Sequence, residues 1–148
     1  MPIAIEVADP ATEADHEAVM QKLIAFNAQH APPDYELYAL RLRDESSGEV
    51  VGGLFGRKYY GWLFVELLFV PEQGRRQGLG SQMLAKAEAF ARSKGCVGVW
   101  LDTFSFQAPD FYAKLGYERF GVLDDYPKGS TRVFYQKRFS RPEGGARW

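Results

Sequence analysis

The chain has 148 residues with 18 Lys and Arg against 19 Asp and Glu, a net charge of −1, and a single cysteine. That length suits one domain able to bury most of its unfolded surface without cross-links, and a lone Cys96 fits a reducing cytoplasmic setting rather than a disulfide framework. A balanced charge excludes the general basic field of a nucleic-acid binder, and no apolar run reaches the ~20 residues of a membrane span.

In chain order, Ile3, Ile5 and Val7 alternate like a strand over residues 2–8. Asp9 to Thr12 offers a helix start, and Ala18, Val19, Leu23, Ile24 and Phe26 supply an apolar face up to about Gln29. His30-Ala31-Pro32-Pro33-Asp34 breaks it. Tyr35 to Arg43 reads as a strand, Asp44 to Glu49 as a hairpin turn, and Val50 to Phe55 as the returning strand. Tyr59-Tyr60-Gly61 turns into Trp62 to Val70, an apolar run with one charge, Glu66, which predicts a central strand. Gly78 to Lys94 is the clearest helix, with Leu79, Met83, Leu84, Ala87, Phe90 and Ala91 on one stripe. A strand over 97–103, a short helix over 109–115, strands over 117–123 and 132–139, and a loose tail over 140–148 complete the pass. The expected organisation is a single domain over 1–140 with a flexible tail over 141–148. The antiparallel meander before residue 71 argues for a mixed α/β sheet rather than a doubly wound one.

Between the central strand and the clear helix lies Pro71-Glu72-Gln73-Gly74-Arg75-Arg76-Gln77-Gly78-Leu79-Gly80-Ser81. Glycines bare the backbone, the helix start adds unpaired N–H donors and a positive dipole end, and two arginines add charge. Such a turn suits an anion, above all a phosphate. It is not a Walker loop, because Leu79-Gly80 stands where Lys-Ser/Thr is needed. It is not a dinucleotide fingerprint, because Met83 occupies the position of the third glycine.

The Arg75-x-x-Gly78-x-Gly80 pattern after a strand resembles the acetyl-CoA-binding motif of the GNAT superfamily of acyl-CoA N-acyltransferases. A second stretch, Ala108-Pro109-Asp110-Phe111-Tyr112-Ala113-Lys114-Leu115-Gly116-Tyr117, is similar to that family's Ala-x-x-x-Tyr-x-Lys-x-Gly-Phe/Tyr segment. The resemblance is strongest over 62–117. It implies a mostly antiparallel mixed sheet flanked by helices and splayed at the cofactor site, with acetyl-CoA as co-substrate and an amine attacking the thioester directly. It implies that Phe69 and Val70 bind the pantetheine arm through free backbone groups. Arg75, Arg76, Gln77, Gly78, Leu79, Gly80 and Ser81 hold the pyrophosphate, with the arginine side chains near the phosphates. Tyr112, a phenol of pKa ~10, is implied as the general acid that gives a proton to the departing thiolate, or as a donor that binds its sulfur. Two departures stand out: Ser105 replaces the family's frequent Asn seven residues before Tyr112, with Gln107 able to stand in for it, and Pro71 comes one place early.

Glu66, the lone charge in an apolar strand, should be paired, at a cleft or raised in pKa, and is the expected base, directly or through water. Asp102 ends a strand and is read as a strand-end carboxylate facing the acceptor side. Cys96, among Val97, Val99 and Leu101, reads as structural. Tyr117 is expected in the core. His16 and His30 show no metal spacing, so no metal is expected. Tyr35, Tyr38, Trp62, Phe104, Phe106 and Tyr126 could line an acceptor pocket, and Asp124-Asp125 reads as a turn. The expected acceptor is a small-molecule amine, with no nucleic acid or membrane partner. An exposed edge strand could pair two copies as a homodimer. The competing readings are a non-catalytic acyl-CoA-binding sensor, a protein N-acetyltransferase and, more distantly, a dinucleotide-dependent oxidoreductase.

Overall fold

The computed structural model describes residues 1–140, so the tail expected over 141–148 lies outside the described residues. The chain forms two compact units, residues 1–33 and the remainder from Asp34.

In the first unit, α1 (Glu13–Ala28) starts where Thr12 meets Asp15. The Thr12 N–H donates to Asp15 Oδ2 at 2.7 Å and its hydroxyl to the same oxygen at 3.1 Å, which ties down the first turn. Residues 2–8 alternate as expected but form no strand. A strand exists only through a partner's ladder, and Ile3, Ile5 and Val7 stand exposed without one.

The second unit is a six-stranded sheet of β1 (Glu36–Arg43), β2 (Val50–Tyr59), β3 (Trp62–Phe69), β4 (Gly98–Phe104), β5 (Glu118–Asp124) and β6 (Thr131–Arg138) in the order β1-β2-β3-β4-β6-β5. Every neighbouring pair is antiparallel except β3 and β4. That parallel pair is joined by the crossover helix α2 (Leu79–Ser93), as parallel strands require. This is the mixed, mostly antiparallel sheet the sequence predicts.

α2 buries Met83, Leu84, Ala87 and Ala91 against Leu63, Val65, Val99 and Leu101, and these residues form the core. Alternation along the strands turns these residues to one face and Trp62, Phe64, Trp100, Phe134 and Gln136 to the other. On that second face Phe64 stacks on Trp100 at 4.1 Å, and Trp62, Trp100, Phe120, Phe134 and Gln136 line an open groove of about 450 Å³. The short α3 (Pro109–Lys114) places Tyr112 in the core beside Tyr117 and Tyr135.

Glu88 of α2, almost fully buried, accepts hydrogen bonds from the Tyr117 hydroxyl and Lys137 Nζ, both at 2.9 Å. Burial and the Glu88 charge push the Tyr117 phenol far up, so it serves as a fixed donor. Tyr117 thus packs in the core, as the sequence suggests. Tyr38, partly buried, packs against the core and stacks on Phe90 at 4.4 Å.

Candidate functional site

The site is built where β3 and β4 part. Their ladder runs from Trp62↔Gly98 to Val65↔Leu101 and stops. β3 continues to Phe69 held only by β2, and β4 continues to Phe104 held only by β6. The facing edges over 66–69 and 102–104 therefore carry unpaired backbone groups, able to take an extended ligand as an added strand would be taken. Phe69 and Val70 stand at the open end of this gap. The Val70 carbonyl is partly engaged, because Arg75 Nε donates to it at 3.2 Å. Arg75 thus braces the strand end through Nε, and its two Nη groups are left for other partners.

A 3₁₀ turn (Glu72–Gly74), not foreseen in the sequence, follows Pro71 and leads to the Arg/Gly turn. Arg76 and Gly78 both take left-handed backbone conformations, φ 68° and 73°. That alternation of handedness winds the chain into the start of α2 and turns successive N–H groups to one side. Among the described residues, the N–H groups of Gln77, Gly78, Leu79, Gly80 and Ser81 donate to no protein acceptor. They sit at the positive end of a 15-residue helix, next to Arg76. Such a cradle fits a pyrophosphate. Gly80 has a second role: a Cβ there would come within 3.0 Å of the Phe111 ring. Its lack of a side chain lets α3 pack on the start of α2, which joins the two family-like motifs.

Glu66 is paired, one of the alternatives the lone charge in an apolar run suggests. The β2–β3 register slips between Phe55 and Gly56, so Glu66 is the extra residue of a bulge. Its Oε2 accepts from Arg57 Nε at 2.6 Å and its side chain is 34% exposed, and Oε1 accepts no bond among the described residues. Arg57 also donates to the Tyr35 hydroxyl, and these bonds hold its guanidinium more firmly protonated than usual. Across the gap, Asp102 receives a two-pronged bond from Arg132, Nε to Oδ1 at 2.9 Å and Nη2 to Oδ2 at 2.8 Å. The Arg132 guanidinium lies 5.0–5.8 Å from the rings of Tyr126, Phe134 and Phe104. Phe104 stacks in turn on Phe106 and Tyr126. Sequence reasoning named Asp102 but missed Arg57 and Arg132, whose pairing depends on strand register.

Tyr112 is only 8% exposed, and burial, with a smaller contribution from the Asp102 charge, pushes its phenol up to about 12. Ser105 is tied to β6: its Oγ accepts the Thr131 N–H at 3.0 Å, and its own N–H donates to the Thr131 carbonyl. Gln107, the suggested stand-in, spends its Oε1 on the Phe104 N–H and the Thr103 hydroxyl at 2.8 and 3.0 Å. Cys96 is buried just before β4, at the end away from the gap, and burial pushes its thiol up, away from the thiolate form. Asp125 closes the turn after β5 by accepting the Gly129 N–H.

The chain resembles known proteins in sequence and in fold. Residues 3–117 match the model of the acetyltransferase (GNAT) family. The chain is 36% identical to "Acetyltransferase Atu2258" of Agrobacterium fabrum over 135 residues, covering 90% of this chain and 96% of that protein. It is 45% identical over 97 residues to a blasticidin-S acetyltransferase of Streptomyces morookaense, covering 65% of this chain and 71% of the relative. A crystal structure of an acetyltransferase from Bacillus cereus superposes with a TM-score of 0.80 at 37% identity, over 93% of this chain and 98% of that one. The chain belongs to the GNAT family and is an acyl-CoA-dependent N-acetyltransferase.

Proposed function

We propose that the protein moves the acetyl group of acetyl-CoA to a primary amine of a small molecule by direct attack in a ternary complex. The observation that carries this reading is the gap beyond Val65↔Leu101, with an N–H cradle at its end and Glu66 and Asp102 at its floor. The N–H groups of 77–81 would hold the pyrophosphate, Arg76 would add charge, and the free edges of Phe69 and Val70 would orient the arm. The thioester supplies an activated acetyl group and a good leaving group.

Glu66 takes one proton from the acceptor's ammonium through Oε1, directly or by way of water. The freed nitrogen lone pair forms the new C–N bond as the C–S bond breaks, and the second amine proton, shed from the N-protonated amide, passes to the departing thiolate directly or by way of water, which leaves CoA as the thiol. Tyr112 then meets the departing sulfur. A phenol near 12 facing a thiolate of pKa ~8.5 stabilises it as a hydrogen-bond donor without handing over its proton.

The test is a screen of free-thiol release from acetyl-CoA with polyamines, amino acids, aminoglycosides and peptides as acceptors. Turnover confined to small amines supports the reading. Turnover of peptides alone points to a protein N-acetyltransferase, and no turnover despite acetyl-CoA binding points to an acyl-CoA sensor. The 45% identity to a blasticidin-S acetyltransferase favours a narrower second reading, an antibiotic acceptor, so blasticidin S belongs in the same screen.

A further inference from the structure

We propose that Asp102 is the residue that seats the acceptor's ammonium group at the gap, while Glu66 is left to receive its proton; this rests on the transferase reading above. The ladder between β3 and β4 ends at Val65↔Leu101, and the next residue on each strand is a carboxylate. Both carboxylates lie on the face opposite α2: Phe64 and Trp100, two residues earlier on each strand, stack there, and both arginine partners reach them on that side. The side-chain ion pairs therefore run Arg57–Glu66, gap, Asp102–Arg132 across the sheet, diagonal to the strand register, with positive groups on the outside and negative groups inside. A cation in the gap has two carboxylates nearest and the guanidiniums one layer further off. Coulomb energy falls with distance, so the row attracts a cation although its formal charges cancel.

The two carboxylates are held differently. Asp102 is gripped through both oxygens by a planar fork whose guanidinium is itself walled by three aromatic rings. Its side chain is 14% exposed. This is a fixed charge, suited to orienting a partner through the remaining lone pairs of its oxygens. Glu66 is bound through one oxygen and more open, with Oε1 available for proton transfer. Asp102 would therefore set where the amine sits, and Glu66 would act on it.

The test is steady-state kinetics of the wild type and Asp102→Asn on whichever of spermidine, lysine methyl ester, kanamycin and blasticidin S the wild type acetylates. Losing a charged partner should raise the amine KM roughly ten- to a hundredfold, leave the KM for acetyl-CoA unchanged and lower kcat far less. Asp102→Glu should recover part of the loss. Because Asp102→Asn strands the Arg132 charge, the charge-balanced double variant Asp102→Asn/Arg132→Gln is measured beside it and should show the same rise. An unchanged amine KM in either folded variant overturns the inference, as does a loss falling wholly on kcat or on acetyl-CoA binding. If the wild type acetylates none of these and no small amine of the wider screen, the small-amine reading fails, and the role of Asp102 with it.

Discussion

At the scale of single residues, Tyr112 shows how placement sets chemistry. A phenol in the core prefers its neutral form, and the nearby Asp102 charge adds to that preference. In the unfolded chain Tyr112 titrates near 10, and in the fold at about 12. The folded state thus holds more protons between these values, and stability falls as pH rises from about 10 to about 12. The Tyr112→Phe variant should lose that part of its alkaline instability, read as the difference in melting temperature between pH 9 and pH 11. The same variant should lower kcat roughly ten- to a hundredfold at neutral pH with little change in acetyl-CoA affinity. Glu66→Gln should lower kcat about a hundredfold, in line with removal of a general base. Full rate in Glu66→Gln at saturating amine would remove Glu66 from the chemistry.

The sequence singled out Glu66 because it interrupts an apolar run, but it could not show Arg57. That partner lies nine residues back across a hairpin, and only the bulge brings the two together. Arg132 is further still, 30 residues from Asp102, and meets it only once β4 and β6 are in register.

Among the elements, α2 was legible almost to the residue, because its apolar stripe follows the 3.6-residue period and Gly78 and Lys94 bracket it. The gap between β3 and β4 was not legible from composition or periodicity. The run from Trp62 to Val70 is equally apolar where it is paired and where it is not. Only the family resemblance implied a splay.

The Arg/Gly turn makes its own prediction. Gly80→Tyr would drive a side chain into Phe111 and cover the N–H cradle, so acetyl-CoA affinity measured by calorimetry should fall at least tenfold. Gly78→Ala forces a Cβ into the left-handed region at a cost of about 1 kcal/mol, a smaller effect that should appear in stability before it appears in affinity. Glu88 fastens α2 to the Tyr117 corner and to β6. Glu88→Ala leaves Lys137 and Tyr117 without their shared acceptor. It should cost about 3 kcal/mol, a fall in Tm of roughly 6–12 °C by thermal denaturation.

For the whole molecule, the sheet from Asp34 onward follows the expected order of strands and helices, and the single parallel pair sits where the longest connection does. Residues 2–8 are the exception. Alternation of Ile3, Ile5 and Val7 is a statement about side chains, whereas a strand also needs a neighbouring backbone, and a local pattern carries no information about that neighbour.

The proposed chemistry requires that the bared turn after β3 anchor coenzyme A. An amide chemical-shift map of the protein titrated with CoA tests this most directly. The largest shifts should fall on Gln77, Gly78, Leu79, Gly80 and Ser81, with a second group on Phe69 and Val70. Saturation with those amides unmoved, or with the shifts gathered on the aromatic groove around Trp62 and Trp100, would contradict it.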